Sequence, residues 1–318
     1  MTERAPTTPA KQPLVALTGA TGFIGRYLLR ELPKRGYRLR VLLRRPSLVP
    51  LDCASALIGD LAQAYNMAEG LANVDAVIHS AGVAQTMSGV PEDDYRLLNT
   101  EATIRLARAA QRAGVKRFVF LSSIRAQAGQ TAHGVLTEDL EPEPIDAYGR
   151  SKLAAEQGLA QTDLDWVALR LVLVYGPGVQ GNVARLIQLA RSPYPLPLAG
   201  LMGRRSVLAL DSLVEAVDRV LASRGPLRRP LIVSDAEPLS IPAMIAAMRR
   251  GLGRRPGLFY VPPALLAASL RAMGQSELAP LLSGSLVADS SALARLGWAP
   301  RATTQAGLAA LLRDGSAA

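Results

Sequence analysis

Cysteine, lysine and aromatic residues are all scarce in this chain of 318 residues. The single cysteine, Cys53, excludes an internal disulfide framework and fits a reducing cytosol, so we expect a cytoplasmic location. No run approaches the ~20 apolar residues of a membrane span, so no transmembrane segment is expected. Residues 1–13 are polar, contain proline and lack an apolar stretch, which predicts a disordered lead rather than a signal peptide.

Only four of the 36 basic residues are lysine, so the formal net charge of +10 comes mainly from arginine. An arginine excess can indicate nucleic acid, an anionic membrane or a phosphate-bearing substrate. The arginines are scattered and few aromatics lie between them, so a nucleic-acid surface is not expected. A genome-wide codon bias towards arginine, alanine, glycine and proline is the simpler explanation of the arginine excess. With 49% hydrophobic but 4% aromatic residues, the chain suits one large or two medium domains with an aliphatic core.

A glycine-rich motif separates the first predicted strand, residues 14–17, from a helix that runs to about Leu32. The order strand, glycines, helix is the context in which such a motif binds a dinucleotide. Gly19 would allow the tight turn, Gly22 the close approach of a pyrophosphate, and Gly25 the packing of helix on strand. The alternative is a glycine-rich turn without a ligand.

Strands and helices then alternate, which predicts an α/β fold with a doubly wound parallel sheet. The strand Arg38–Leu43 ends in Arg44 instead of the carboxylate that NAD-selective sites place there. Arg44 could pair with a 2′-phosphate, which favours NADP over NAD. Alternatively, Arg44 and Arg45 are solvated loop residues.

Polar residues follow the next strands. Asp60, after residues 56–58, could accept from an adenine amino group or cap the next helix. His79 ends a strand over residues 74–79, and a structural histidine is favoured over a catalytic one. Asn99 lies on a helix predicted over residues 92–113. A strand at residues 118–121 then delivers Ser122 and Ser123 to the carboxyl edge, where ligands bind in such folds.

Tyr148 and Lys152 are four residues apart, which places them one turn apart on one face of a helix. A lysine ammonium there can lower the pKa of the phenol, normally about 10, because a positive charge favours the phenolate. Such a phenol can exchange a proton with an alcohol or ketone. The pair therefore favours hydride chemistry on a carbon–oxygen bond.

Together these motifs resemble the extended short-chain dehydrogenase/reductase superfamily, in its NAD-dependent epimerase/dehydratase branch. The resemblance spans residues 15–312, and its motifs occur in the family's order. It implies a Rossmann-type sheet with a smaller C-terminal substrate-binding domain. The implied division is an NAD(P)-binding domain at residues 14–175 and a substrate-binding region at residues 176–318, interleaved with the last strands and helices. The motifs are TGATGFIG (18–25), GDL (59–61), HSAG (79–82), Asn99, LSS (121–123), YGRSK (148–152), LR (169–170), YGPG (175–178) and LGW (296–298).

The resemblance implies a role for each residue. Tyr148 would be the general acid/base, Ser123 its hydroxyl partner, and Lys152 the residue that lowers the pKa of Tyr148 and binds the nicotinamide ribose. Ser122 would serve the backbone or the cofactor. The residues implied to bind NAD or NADP are Gly19, Thr21, Gly22, Phe23, Ile24, Gly25, Arg44, Asp60, Leu61, Ser80, Ala81, Gly82, Asn99, Ser122, Tyr148, Lys152 and Val174. No metal site is expected.

Departures from the family narrow the chemistry. The family's 4,6-dehydratases carry an Asp-Glu pair where this chain has Ile124 and Arg125, so dehydration is not expected. Members that epimerise carbons beside a ketone use a cysteine and a histidine, and Cys53 lies too early in the chain. Hydride transfer at one carbon remains, as in 4-epimerases and ketoreductases.

The resemblance implies that the substrate is bound by Ser123 and Tyr148 of the first half together with Asn182, Arg204 and Arg205 of the second. The resemblance implies that Asn182 and Arg204 contact the diphosphate of a nucleotide sugar, with Arg205 as a close competitor. An arginine fork suits bidentate phosphate contact. Alternatively, Asn182 caps a helix and the two arginines are a solvated pair on a loop.

These features lead to an enzyme acting on a nucleotide sugar, most simply a UDP-sugar, as a 4-epimerase or 4-ketoreductase in surface-polysaccharide synthesis. The alternative enzyme is an NADP-dependent reductase of a small apolar ketone of steroid or flavonoid type. A non-catalytic cofactor-binding scaffold is a third possibility. The family often forms homodimers through the helices at residues 92–113 and 148–161. An apolar helix at residues 264–273 is predicted to be buried, or alternatively to rest on a membrane.

Overall fold

The computed structural model describes residues 12–48, 50, 53–61, 63, 67–84, 89–272, 274 and 284–313. The disordered lead was predicted for residues 1–13, and residues 1–11 of that segment lie outside the described residues. Gln12 and Pro13 lead directly into the first strand.

A parallel sheet of seven strands forms the centre of the fold. Its strands are β1 (Leu14–Thr18), β2 (Arg38–Leu43), β3 (Ala54–Leu57), β4 (Ala76–His79), β5 (Arg117–Ser123), β7 (Trp166–Leu171) and β11 (Arg229–Val233). Their order across the sheet is β11-β7-β5-β4-β1-β2-β3, and every neighbouring pair is parallel. The order reverses between β1 and β4, and ligands of such sheets bind outside the carboxyl ends at that point.

Six short strands form three separate pairs outside the central sheet. These strands are β6 (Val135–Leu136), β8 (Leu173–Tyr175), β9 (Arg204–Arg205), β10 (Val207–Ala209), β12 (Leu239–Ser240) and β13 (Val287–Ala288). The pairs β8–β10 and β6–β13 are parallel, and β9–β12 is antiparallel.

Helices cover both faces of the central sheet, as a doubly wound fold requires. The helices of the described residues are α1 (Phe23–Glu31), α2 (Ala68–Leu71), α3 (Glu92–Tyr95), α4 (Ala102–Arg112), α5 (Ala147–Ala160), α6 (Asn182–Arg191), α7 (Leu210–Ala222), α8 (Ile241–Gly251), α9 (Pro263–Ala272), α10 (Ser291–Ala294) and α11 (Thr304–Arg313). The contacts of α1 with α7 are on one face, and those of α4 with α5 are on the other.

The central strands are buried on both faces, which explains their continuous apolar sequence. Successive side chains of β1 enter different clusters: Val15 and Leu17 pack on one face, and Leu14 and Ala16 on the other. A third apolar cluster lies in the second half of the chain and includes Tyr175 together with residues of α6, α8 and α11. The strand β11 belongs to the central sheet although it lies far beyond residue 175. The predicted fold class, with its doubly wound parallel sheet, is therefore confirmed.

The predicted helix over residues 92–113 is interrupted. It consists of α3, a π-helical segment at Arg96–Glu101 and α4, with Asn99 inside the π-helical segment. Such segments often occur at functional sites, because the extra residue per turn redirects a side chain.

The prediction of a buried apolar helix at residues 264–273 is wrong for the part that the structure describes. None of the described side chains of α9 is buried, and Leu265 is 62% exposed. The sequence pattern misled because apolar composition alone does not specify which surface covers a helix. Among the described residues, no helix is both long and apolar enough to cross a membrane.

The aliphatic core gives a stability prediction. Leu169 is fully buried in β7, between β5 and β11. Replacing it with alanine should lower the free energy of unfolding by about 2–5 kcal/mol, because the change removes buried apolar contact and leaves a cavity. Urea unfolding at an unchanged m-value measures this loss. The control Leu265→Ala, at an exposed position, should change stability by about 0.5 kcal/mol or less. Equal losses in both variants would contradict this placement of the core.

Candidate active site at the carboxyl edge of the sheet

The glycine turn after β1 brings three backbone segments into close contact. Gly19 has a φ of 69°, and a Cβ there would lie 2.6 Å from the backbone of both Ser80 and Ala81. A Cβ on Gly25 would overlap the carbonyl of Gly19. The turn therefore requires glycine at both positions, as the sequence predicted.

Gly22, the second glycine of the motif, leaves the N-terminus of α1 open. Gly22 is the N-cap and makes no side-chain cap hydrogen bond. A Cβ on Gly22 would meet only Gly19 O among the described atoms, at 3.3 Å. The first N–H groups of α1 can therefore reach an anionic group placed against the turn.

His79 is a structural residue, as the sequence favoured. It is fully buried, with Nδ1 2.7 Å from Thr18 Oγ1 and Nε2 3.0 Å from Thr103 Oγ1. Burial, with a smaller effect from the charge of Lys152, lowers its pKa to about 3, so the ring is neutral. Thr18 Oγ1 in turn accepts from the backbone N–H groups of Ser80 and Ala81, at 3.2 Å each. His79 thus holds the start of the loop that follows β4.

Asn99 is bonded to the same loop. Its Oδ1 accepts from Val83 N at 2.8 Å, and its Nδ2 donates to Val83 O and to Ser151 Oγ, at 3.1 Å each. A Cβ on Gly82 would lie 2.6 Å from Asn99 Oδ1. The loop after β4 therefore uses both ends of the Asn99 amide, and the cofactor contact of Asn99 stays a prediction.

The three predicted catalytic residues border one cleft of about 190 Å³. The Tyr148 hydroxyl and the Ser123 side chain share a hydrogen bond. Lys152 Nζ donates to Leu121 O at 3.0 Å and lies 4.6 Å from the centre of the Phe120 ring. The cleft is lined by Ile24, Ser80, Gly82, Val83, Ala84, Leu121, Ser122, Ser123, Tyr148, Lys152, Leu171, Val172 and Val174.

The pKa of Tyr148 is raised in the structure, whereas the sequence predicted that it is lowered. Burial raises it to about 12, and the hydrogen bond from Ser123 opposes that rise without cancelling it. Lys152 Nζ lies 5.9 Å from the centre of the Tyr148 ring, and its own pKa is lowered to about 8 by burial. The prediction that Lys152 lowers the pKa of Tyr148 is therefore wrong for this structure, because desolvation disfavours the charged form of both groups.

The Ser122 hydroxyl is bonded to a side chain of helix α5. It donates to Glu156 Oε1 at 2.5 Å, and both residues are buried. Glu156 also forms an ion pair of 2.6 Å with the buried Arg170, which bonds to Gln127 as well. The Ser122 hydroxyl therefore belongs to a polar network beneath the cleft, and the role of Ser122 toward the backbone or the cofactor stays a prediction.

The predicted 2′-phosphate residue, Arg44, follows β2 and is more than half exposed. Its Nη1 lies 3.9 Å from Asp60 Oδ2, which is also partly exposed. Asp60 does not cap a helix among the described residues, since the next described helix starts at Ala68 with Met67 as its N-cap. Asp60 and Leu61 follow β3 at the edge of the sheet, several strands away from the β5 end that faces Tyr148.

The predicted substrate residues of the second half do not border the 190 Å³ cleft. Asn182 is the exposed first residue of α6, and Gly181, with a φ of 68°, is the N-cap. The alternative that Asn182 caps the helix is therefore wrong. Arg204 is exposed, and its Nε donates to Pro238 O at 3.3 Å. Arg205 is partly buried and donates to Gln130 O and Gly284 O, at 3.1 and 3.3 Å.

The sequence analysis missed several residues that support the site. Glu156 is four residues after Lys152 on the same helix, and that spacing is a signal that was available. Asp146, the N-cap of α5, accepts from Gly149 N at 2.7 Å. Thr18 and Thr103 had no such signal, because only the fold places them on the two nitrogens of His79.

Known proteins resemble this chain in sequence and in fold. The profile of the NAD dependent epimerase/dehydratase family matches residues 15–230. This chain belongs to that family. The family and enzyme class predicted from the motifs are therefore confirmed, and this member is an enzyme of the extended short-chain dehydrogenase type.

Its relatives include enzymes with different substrates. A UDP-glucose 4-epimerase of Vibrio cholerae is 31% identical over 305 residues, with 92% of each chain covered. A ceramide reductase of Caulobacter vibrioides is 28% identical over 302 residues, covering 92% of this chain and 88% of the relative. Among solved structures, MoeE5 in complex with UDP-glucuronic acid and NAD has a TM-score of 0.72 and 29% identity, covering 94% of this family member and 97% of that chain.

Lys152 makes the stability of the enzyme depend on pH. Its pKa falls from an ordinary 10.5 to about 8, so between these values the folded state binds fewer protons than the unfolded state. Stability should therefore rise as the pH increases through 8, because the buried ammonium loses its charge. Relative to Lys152→Met, we expect the free energy of unfolding to rise by about 2 kcal/mol between pH 7 and about pH 9.5.

Guanidinium unfolding at the two pH values measures this difference. Tyr148, with a pKa of about 12, titrates above the window. The control is Lys116→Met, since the Lys116 side chain is 80% exposed. Relative to Lys116→Met, the free energy of unfolding of the wild type should not rise over this pH range. The same pH dependence in wild type and Lys152→Met would contradict a buried, titrating lysine.

Proposed function

We propose that this enzyme is an NAD(P)-dependent nucleotide-sugar 4-epimerase or 4-ketoreductase, with a UDP-sugar as substrate. The observation that carries the proposal is the position of Ser123, Tyr148 and Lys152 on one cleft at the switch point of the sheet. The 31% identity to a UDP-glucose 4-epimerase across 92% of both chains supports it. So does MoeE5, whose complexes contain UDP-glucuronic acid or UDP-glucose together with NAD.

The residues of the chain fit a nicotinamide dinucleotide. The glycine turn leaves the N-terminus of α1 accessible beside Gly22, which suits a pyrophosphate. Ser80, Gly82 and Val174 border the cleft that also contains Tyr148. When bound, the nicotinamide supplies hydride exchange with carbon 4 of the sugar.

The chain's own residues would manage the accompanying proton. Because burial raises its pKa to about 12, Tyr148 is protonated at neutral pH and can donate to the oxygen of a 4-ketone. In the reverse direction the phenolate that this donation leaves on Tyr148 would accept the proton of the 4-hydroxyl. Ser123 orients the phenol through their shared hydrogen bond, which also opposes the rise in pKa. Lys152 is held in place by its bond to Leu121 O.

Replacing Tyr148 with phenylalanine tests the chemistry. We expect kcat for interconversion of UDP-glucose and UDP-galactose, or of the corresponding uronates, to fall by about 10²–10⁴-fold, because the proton donor is lost. Calorimetric affinity for UDP should stay unchanged, since the substitution leaves the ring in place. Unchanged kcat would contradict the proposed role of Tyr148, whereas the absence of any turnover by the wild type would favour a non-catalytic scaffold.

The alternative is an NADP-dependent reductase of a small apolar ketone, which the 28% identity to a ceramide reductase supports. The two functions differ in what binds. A nucleotide-sugar enzyme binds UDP, whereas a reductase of apolar ketones has no use for Asn182 or Arg204. Absence of UDP binding to the wild-type enzyme would contradict the nucleotide-sugar proposal.

The preference of the enzyme for NADP or NAD tests the role of Arg44. We propose that its guanidinium pairs with a 2′-phosphate, and so expect Arg44→Ala to weaken NADP binding by about tenfold or more while leaving NAD binding unchanged. Fluorescence titration with both cofactors measures the ratio. The matched control is Arg45→Ala, at the neighbouring loop position. An equal effect of Arg44→Ala on NAD and NADP would contradict the pairing.

Three further expectations stay predictions. They are a cytoplasmic location, a role in surface-polysaccharide synthesis, and a homodimer formed through α4 and α5. The division into a cofactor domain at residues 14–175 and a substrate region at residues 176–318 also stays a prediction. Asn182, Arg204 and Arg205 remain proposed contacts of the diphosphate.

A further inference from the structure

Arg125 is a buried cation that the roles of Ser123, Tyr148 and Lys152 do not explain. It lies in the turn Ile124–Ala126 after β5 and is only 8% exposed. Its Nη2 pairs with Asp146, whereas Nε and Nη1 are buried without a hydrogen-bond partner among the described residues. A buried donor without an acceptor bears its full desolvation cost, so such groups are normally paired. The two unpaired donors therefore point to a ligand.

The location of Arg125 relates it to the catalytic hydroxyls. Its backbone N–H donates to Ser123 Oγ at 3.1 Å. Its ion-pair partner, Asp146, caps the helix that carries Tyr148. The positive charge of Arg125 favours the phenolate of Tyr148 and opposes the rise in its pKa, although burial outweighs this effect. The guanidinium thus lies within electrostatic range of the hydroxyl that would face the reacting carbon.

Arg205 is a second cation near Arg125. Its two terminal nitrogens donate to the carbonyls of Gln130 and Gly284. Burial lowers the pKa of Arg205, and repulsion from Arg125 lowers it further. Two neighbouring guanidinium groups in a partly buried region are stabilised by an anion, because each fork matches a carboxylate or a phosphate.

We propose that Arg125 binds an anionic oxygen group of the substrate. This inference rests on the proposed nucleotide-sugar function. It assigns a substrate-binding role to Arg125, which stands where the family's 4,6-dehydratases carry an acidic residue. Two parts of such a substrate share the required chemistry. They are a carboxylate on carbon 6 of a uronic acid and the phosphate attached to the sugar.

A purely structural role for Arg125 makes a different prediction. In that case Arg125 acts only through its bond to Asp146, and loss of either partner should change ligand affinity equally. The cap of α5 does not need this bond, because Asp146 Oδ1 accepts from Gly149 N independently. The variant Asp146→Asn keeps a capping oxygen and removes the ion pair, so it is the matched control.

Calorimetry with UDP, UDP-glucose and UDP-glucuronate on the full-length wild type, Arg125→Met and Asp146→Asn tests the proposal. We expect Arg125→Met to weaken binding of at least one of these ligands by about 10–100-fold, because a buried charge-assisted contact is lost. Asp146→Asn should bind all three ligands at least as tightly as the wild type, since Arg125 retains its donors.

The pattern of loss identifies the anionic group. A loss confined to UDP-glucuronate assigns Arg125 to the sugar carboxylate, and a loss for all three ligands assigns it to the diphosphate. Unchanged binding of all three by Arg125→Met would overturn the inference while leaving the nucleotide-sugar function intact. Equal losses in Arg125→Met and Asp146→Asn would also overturn it, in favour of the structural role. If the wild type binds none of the three, both the proposed function and this inference fail.

A second variant covers the case in which Arg125→Met does not fold. Arg125→Lys keeps a positive charge that can reach Asp146 but loses the planar fork, so it should still weaken the same ligand by about tenfold. Circular dichroism and the unfolding midpoint establish that the variant is folded. Wild-type affinity of folded Arg125→Lys for all three ligands would count against the proposal.

Discussion

Helix α5 packs against the carboxyl end of strand β5, and the geometry of the site depends on that contact. Three side chains of the helix, spaced four residues apart, each bond to the strand. The pairs are Tyr148 with Ser123, Lys152 with the carbonyl of Leu121, and Glu156 with Ser122. A slip of the helix along the strand would break all three pairs together, because they share one spacing. The buried ion pair between Glu156 and Arg170 resists such a slip from below.

Burial is the second constraint, and it sets the charge state of the site. Desolvation raises the pKa of Tyr148 and lowers that of Lys152, so both groups tend towards their neutral forms. Glu156 opposes the shift of Lys152 from one turn away on α5. The site therefore combines a protonated phenol with a lysine that titrates near pH 8, and both features suit proton exchange at a carbinol.

The cofactor side and the substrate side of the site are built differently. On the cofactor side, backbone contacts among Gly19, Gly25 and Ser80 define the turn, and His79 fixes it from beneath. These positions follow from close packing, which tolerates little change. On the side proposed to bind the substrate, the arginines at positions 125 and 205 come from segments far apart in the chain.

The sequence by itself determined the fold class, the glycine turn and the group formed by Ser123, Tyr148 and Lys152. Local spacing is enough for the strands, the glycine turn and the pair Tyr148 and Lys152, since these follow from short-range patterns. Ser123 was added to that pair only through the resemblance to the family. Only the tertiary structure decided the direction of the Tyr148 pKa, the partner of Ser122, the π-helical segment at Asn99 and the exposure of α9. Each of these depends on which groups exclude water or accept hydrogen bonds across the fold, and neighbours in the chain do not carry that information.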